Sequence, residues 1–110
     1  MRSQFDNPVD SDPTSGTLQA CGPLEWEGDE TKAEISVIVT QRDGKVMATG
    51  SGSFDRSAND SEWMIPLTPT PANGQFNQGT ASASGALCAM GDDDGPNVFN
   101  WSEYVDVKVK

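Results

Sequence analysis

The chain has 110 residues, the length of a single domain, and its hydrophobic content of 35% is low for a globular protein. Its 17 acidic residues outnumber 7 basic ones, which gives a net charge of −10. A surface of this charge repels nucleic acids and anionic membranes, so neither is expected as a partner.

Residues 1–16 predict an extended N-terminal arm. The stretch contains Pro8, Pro13 and Gly16 among acidic and small polar residues, a composition that does not build a core of its own. Such an arm is ordered either by packing on its own domain or by lying along a neighbouring subunit, and the leading expectation is that it docks on a partner. The expected contact residues are Phe5, Asp6, Val9, Asp10 and Asp12. Residues 17–110 form the expected folded domain.

The most regular pattern of the chain predicts a β-hairpin. Apolar and polar residues alternate from Ala33 to Thr40, and Asp43-Gly44 is typical of a two-residue turn. Residues that lie opposite each other in a hairpin share a face. Counting outward from the turn pairs Val39 with Ala48, Val37 with Gly50, Ile35 with Gly52, and Ala33 with Phe54.

The stretch GTASASGALCAM, residues 79–90, predicts a strand built from small residues. Ala81, Ala83, Leu87 and Ala89 share one of its faces. Small rows leave space for large side chains when two sheets pack against each other. We therefore expect this face to pack in the core against the tryptophans rather than to form a ligand groove. The tryptophans are Trp26, Trp63 and Trp101.

Further short strands are predicted at GTLQACGPLEWEG, WMIPLTP and NWSEYVDVKVK, with turn residues between them. The expected fold is therefore all-β, a single antiparallel β-sandwich with about six or seven strands. Its strand count resembles that of an immunoglobulin-like or jelly-roll-like domain. The N-terminal arm extends from this sandwich.

Two small groups of residues are candidate sites. A disulfide between Cys21 and Cys88 would close a long loop and contribute about 4 kcal/mol, whereas free thiols are the expectation for a reducing cytosol. The turn GDDDGPN collects oxygen ligands of the kind that Ca²⁺ prefers. These ligands are Asp92, Asp93, Asp94 and Asn97. The turn lacks the EF-hand pattern, so our expectation is a solvated turn and no bound metal.

The absence of histidine leaves no Ser-His-Asp or Cys-His group, and we expect neither enzymatic activity nor a cofactor. Small acidic β-domains with clamping arms are typical of virion components. The leading hypothesis is a phage capsid decoration (cement) or head-tail protein, homo-oligomeric, that docks on a larger protein assembly through its arm. It predicts that removing residues 1–16 abolishes assembly and leaves the fold intact.

The expected location is the virion, assembled in the host cytoplasm, because the residues after Met1 include no apolar signal segment. Two alternatives stay open. A secreted or cell-surface sandwich that binds carbohydrate or protein would need an upstream signal sequence and an oxidised Cys21–Cys88 pair. An acidic inhibitor that mimics nucleic acid would bind a basic enzyme, and salt would abolish this binding.

Overall fold

A computed structural model of the chain describes residues 3–6, 9–12, 17–26, 28, 30–41, 46–56, 62–69, 76–91 and 97–109. These residues form seven β-strands and no α-helix. The strands are β1 (Val9–Ser11), β2 (Leu18–Pro23), β3 (Glu30–Gln41), β4 (Val46–Asp55), β5 (Glu62–Pro69), β6 (Gly79–Gly91) and β7 (Asn97–Val109). The prediction of an all-β fold is confirmed.

The strands close into a barrel in the order β1-β2-β5-β4-β3-β6-β7, so the predicted sandwich is corrected in detail. The barrel has a three-stranded part, β1-β2-β5, and a four-stranded part, β4-β3-β6-β7. The two parts are joined at two short seams. The end of β5 pairs with β4 only at Ala48–Pro69 and Thr49–Thr68. At the other seam, β1 runs parallel to β7 and pairs Val9 with Val107. Backbone pairing across both seams joins what would otherwise be two separate sheets.

The four-stranded part is the longest run of regular pairing. The ladder between β3 and β4 is continuous from Lys32–Asp55 to Gln41–Val46, and β6 pairs along most of β3 and β7. Every predicted pair of the hairpin is present in this register, so that prediction is confirmed. The predicted turn itself, residues 42–45, lies outside the described residues.

Glycines in the strands provide space for large side chains, as expected. A Cβ atom at Gly85 would collide with the ring of Trp101, which lies opposite Gly85 on β7. A Cβ at Gly22 would lie 2.8 Å from the indole of Trp63. The inward residues of β6 are buried, so the small-residue strand packs in the core rather than lining a groove.

The N-terminal segment, defined as residues 3–6 and 9–11, fills the seam between β2 and β7. Asp6 donates its backbone N–H to the carbonyl of Cys21 at 2.8 Å, and Phe5 donates its own to Oε1 of Glu103 at 2.9 Å. The ring of Phe5 lies 5.7 Å from that of Trp63 and 5.3 Å from that of Trp101, measured between centroids. The segment therefore forms one wall of this chain's own core.

Candidate functional site

Acidic side chains gather on the outer side of β1, β2 and β5. We call this surface the acidic face and define it by Asp6, Asp10, Asp12 and Glu62. Asp10 is the middle residue of β1 and pairs with Gln19 of β2. Glu62 begins β5 opposite Pro23, and the hydrogen bond from Asp6 to Cys21 fixes the backbone of Asp6 beside the same strand. Two segments distant in sequence, the N-terminal residues and the start of β5, thus bring their carboxylates to one surface.

The centre of the acidic face is a cluster of Asp6, Cys21 and Glu62. Their carboxylate oxygens and the thiol sulfur all lie within 4.8 Å of one another. Partial burial raises the pKa of the Cys21 thiol, and the negative charges of Asp6, Glu62 and Asp10 raise it further. The thiol therefore stays protonated at neutral pH, and the charge of the cluster comes from its carboxylates.

This arrangement favours the binding of positive charge rather than nucleophilic chemistry. The thiolate is the reactive form of cysteine, so the raised pKa of the Cys21 thiol makes it a weaker nucleophile at neutral pH than an unperturbed cysteine. Asp6 and Glu62 remain open to solvent with oxygens that accept hydrogen bonds from cationic groups. Carboxylates a few ångströms apart add their potentials, which attracts a basic side chain or a cation.

Beside this cluster, the acidic face has an open concavity of about 390 Å³. Asp10 and Asp12 line it on one side and Pro66 on the other. Lys108 pairs with Asp10 in the parallel register of β1 and β7, so one basic residue stands at the margin of the face. The concavity adds a shaped surface next to the negative charge.

Of the five residues that were expected to contact a partner, two are buried in the core and three lie on the surface. Phe5 and Val9 are buried in the core of this chain, so these two residues pack on their own domain and do not contact a partner as the leading expectation had it. Both are apolar residues beside a seam lined by tryptophan and valine, so intramolecular burial satisfies them. Asp6, Asp10 and Asp12 lie on the acidic face, where Asp6 and Asp10 are partly exposed and Asp12 is exposed.

The proposed bond between Cys21 and Cys88 is absent, and both thiols are free. Cys21 belongs to the outer side of β2, whereas Cys88 lies on the outer side of β6 opposite Glu34 and Val98. The two strands belong to different parts of the barrel, and neither side chain points through the core to the other. Of the two alternatives that the sequence left open, the structure therefore has the free thiols.

Of the candidate Ca²⁺ ligands, Asp92, Asp93 and Asp94 lie outside the described residues. Asn97 begins β7 opposite Ala89, and its side chain is not among those described. Within the described ranges, no helix has the length and apolar character needed to cross a membrane.

Sequence reasoning missed Glu62 and the position of Cys21 beside it. Both residues have the outward parity of their strands, which the alternation of β2 and β5 indicates. Their proximity depends on the pairing of β2 with β5 and on the course of residues 3–6, for which the sequence contains no local signal.

No family model and no curated protein matches the chain. Among solved structures, the chain is similar to one described as "Crystal Structure of the Periplasmic Chaperone SfaE", with 11% sequence identity and a TM-score of 0.49. The alignment covers 99% of this chain and 57% of that one, so this chain spans little more than half of its length. A likeness at this level carries no information about function.

Proposed function

We propose that this chain is a non-enzymatic binding module that docks on a basic protein surface of a larger assembly through its acidic face. The observation that carries the proposal is the convergence of Asp6 and Asp10 from the N-terminal segment and Glu62 from β5 around Cys21 of β2. Like charges at this spacing repel one another, and a basic partner relieves that repulsion.

The support of the acidic face by a sheet favours binding of another protein over simple solvation. Asp10 stands on β1 and Glu62 on β5, and both strands are paired to β2. The paired strands hold the backbone of both residues in fixed relative positions. Binding therefore costs less conformational entropy than it would if the two carboxylates stood on flexible loops. The adjoining concavity gives such a partner a shape to match as well as a charge.

The finer hypotheses from the sequence stay predictions. A phage capsid or head-tail structure is the assembly that we propose, with the virion as the location and a homo-oligomer as the form of the protein. The secreted alternative required an oxidised cysteine pair, which the two free thiols do not supply.

The test compares two identical substitutions on different faces. Glu62→Lys reverses a charge on the acidic face, and Glu34→Lys makes the same change on an exposed position of β3. The probe is a polylysine-coated sensor read over a series of salt concentrations. We expect Glu62→Lys to weaken binding severalfold more than Glu34→Lys does, and salt to reduce the difference.

Because both variants have the same net charge, the comparison separates a local site from overall acidity. Equal loss in the two variants would mean that binding follows net charge alone, which would contradict the proposal and favour a diffuse mimic of nucleic acid. Circular dichroism of both variants verifies that neither change has disturbed the barrel.

A further inference from the structure

The outer side of β3, β4, β6 and β7 forms an ordered grid of side chains, which we call the four-stranded face. The registers of the three ladders align its residues in rows across the strands. The rows are Met47, Thr40, Ser82, Tyr104; then Thr49, Ile38, Ser84, Ser102; then Ser51, Ser36, Ala86, Asn100; then Ser53, Glu34, Cys88, Val98; and last Asp55, Lys32, Met90.

Exposed apolar side chains are concentrated on this face. Among the described residues, six large hydrophobic side chains are exposed, and five of them belong to the outer side of these strands. They are Ile38 (45% exposed), Met47 (36%), Met90 (37%), Val98 (67%) and Tyr104 (78%). The sixth, Met64, is 58% exposed on β5. Apolar side chains gathered on one face of a domain are typical of an interaction surface.

The centre of this face is uncharged, and its charged residues, Glu34, Lys32 and Asp55, stand in the last two rows. The first three rows contain no acidic or basic residue, although the chain as a whole has a net charge of −10. Two copies of this acidic chain repel each other, and the repulsion is weakest where no carboxylate approaches another. Two copies that meet at this uncharged centre therefore approach each other without setting carboxylates directly opposite carboxylates.

Covering the centre of the face costs little side-chain entropy and leaves few hydrogen-bonding groups without a partner. Its serines and alanine have short side chains, which lose little rotamer freedom in an interface. The hydroxyls of Ser84 and Ser102 already lie 3.1 Å apart and form a hydrogen bond with each other, so this pair retains a partner when water is removed.

The size of the face suits a small dimer. Four strands about 4.8 Å apart and five rows, which run along roughly nine residues of each strand, give an area of about 600 Å². Two such faces together bury about 1,200 Å², which exceeds the roughly 1,000 Å² expected of a specific interface.

We propose that the four-stranded face binds the same face of a second copy of this chain in a two-fold symmetric dimer. The apolar side chains stand in two groups at opposite ends of the face, Ile38, Met47 and Tyr104 at one end and Met90 with Val98 at the other. A two-fold axis across the strands sets each group of one copy over the other group of its partner. The acidic faces then point away from the interface, so dimer formation is independent of docking on a basic partner.

The first test measures the mass of the wild type by light scattering on a sizing column, up to roughly 1 mM, where even a weak dimer is populated. We expect twice the chain mass of 11.7 kDa. The variant Ile38→Glu/Tyr104→Glu should be monomeric, because it sets carboxylates into the apolar contact. Met64→Glu makes the same kind of change on β5 and should remain a dimer. A monomeric wild type at every concentration would overturn the proposal.

The two cysteines provide a second test without any substitution. Cys88 lies within the proposed interface and Cys21 lies on the other side of the barrel. We expect the labelling rate of Cys88 by a maleimide to fall severalfold as the chain concentration rises, while that of Cys21 stays constant. A doubled mass with no change at Cys88, or equal dissociation of the Met64→Glu variant, would show that another surface forms the dimer.

Discussion

The two parts of the barrel are stabilised in different ways. The four-stranded part has continuous ladders, such as that from Lys32–Asp55 to Gln41–Val46, whose strands follow one another closely in the chain. The part that contains β1, β2 and β5 meets it through short seams, and the ring of Phe5 between Trp63 and Trp101 closes the gap. Backbone pairing therefore dominates one part, and side-chain packing by a distant segment dominates the other.

This difference indicates which part of the barrel is most easily unfolded by a change in sequence. In a long ladder, a single substitution weakens one residue pair, and the neighbouring pairs continue to hold the two strands together. A seam that depends on a few buried side chains opens when the one segment that carries them detaches or is removed. We therefore expect the largest losses of stability at the N-terminal segment.

The largest effect is expected from deletion of residues 1–11. The deletion removes the buried side chains of Phe5 and Val9 and opens the core around Trp63, at a cost of roughly 5 kcal/mol, comparable with the whole stability of a small domain. We expect the truncated chain to lose its cooperative urea transition, followed by tryptophan fluorescence. This replaces the expectation that removal of the arm leaves the fold intact.

A synthetic peptide of residues 1–12 serves as the control for this deletion. Its addition should restore the native fluorescence of the truncated chain, because the peptide refills the seam between β2 and β7. A truncated chain with the wild-type unfolding midpoint would contradict the importance of the segment and remove the contrast between the two parts.

A smaller loss is expected in the four-stranded part from Gly85→Val. The ring of Trp101 occupies the space that the new side chain requires, so we expect a loss of about 3 kcal/mol in the free energy of unfolding. Ala86→Val changes the neighbouring outward residue and should alter stability by less than about 0.5 kcal/mol. Similar urea midpoints for the two variants would argue against close packing of Trp101 on β6.

The next effect concerns the hydrogen bonds of Ser3. Its hydroxyl accepts the indole N–H of Trp63 at 2.6 Å and donates to the carbonyl of Pro23 at 2.8 Å. Because Ser3→Ala leaves the buried indole N–H unpaired, we expect a loss of about 1–2 kcal/mol in urea unfolding. Ser36→Ala, at an exposed position of β3, is the matched control and should have no measurable effect. Equal losses in both variants would refute the role of the Ser3 hydroxyl.

The smallest effect appears only at alkaline pH. The raised pKa of Cys21 means that the folded protein keeps the thiol proton after the unfolded chain begins to lose it. Stability is unaffected below the ordinary thiol pKa of about 8.5 and falls as the pH rises toward the folded value. Cys21→Ser should remove this fall in melting temperature, whereas Cys88→Ser should retain it. An unchanged pH profile in Cys21→Ser would exclude Cys21 as its source.

The sequence predicted the parts of the fold that depend on neighbours in the chain. The register from Val39–Ala48 to Ala33–Phe54 follows from a short turn and strict alternation, both of which are local. The burial of Trp63 and the packing of Trp101 on a strand of small residues follow from the same alternation.

Long-range closure was not predictable in the same way. The segment with Phe5 and Val9 is polar and proline-containing, and its strand of three residues pairs with β7 near the other end of the chain. The sequence left the state of Cys21 and Cys88 open, because two cysteines alone do not indicate which side of the barrel each one faces. The cluster around Cys21 depends on the same closure, so its members share no spacing in the sequence.

The parallel pairing of β1 with β7 has a mechanical consequence. Suppose that the chain is stretched between its two ends. The force then pulls β1 at Val9 and β7 at Val109, and because the two strands are parallel, it pulls them in opposite directions along their length. Because Val9, Asp10 and Ser11 all pair with β7, the force loads these pairs together in shear instead of peeling them one after another. A domain tethered at both sides would therefore resist tension at the seam that has the shortest strand.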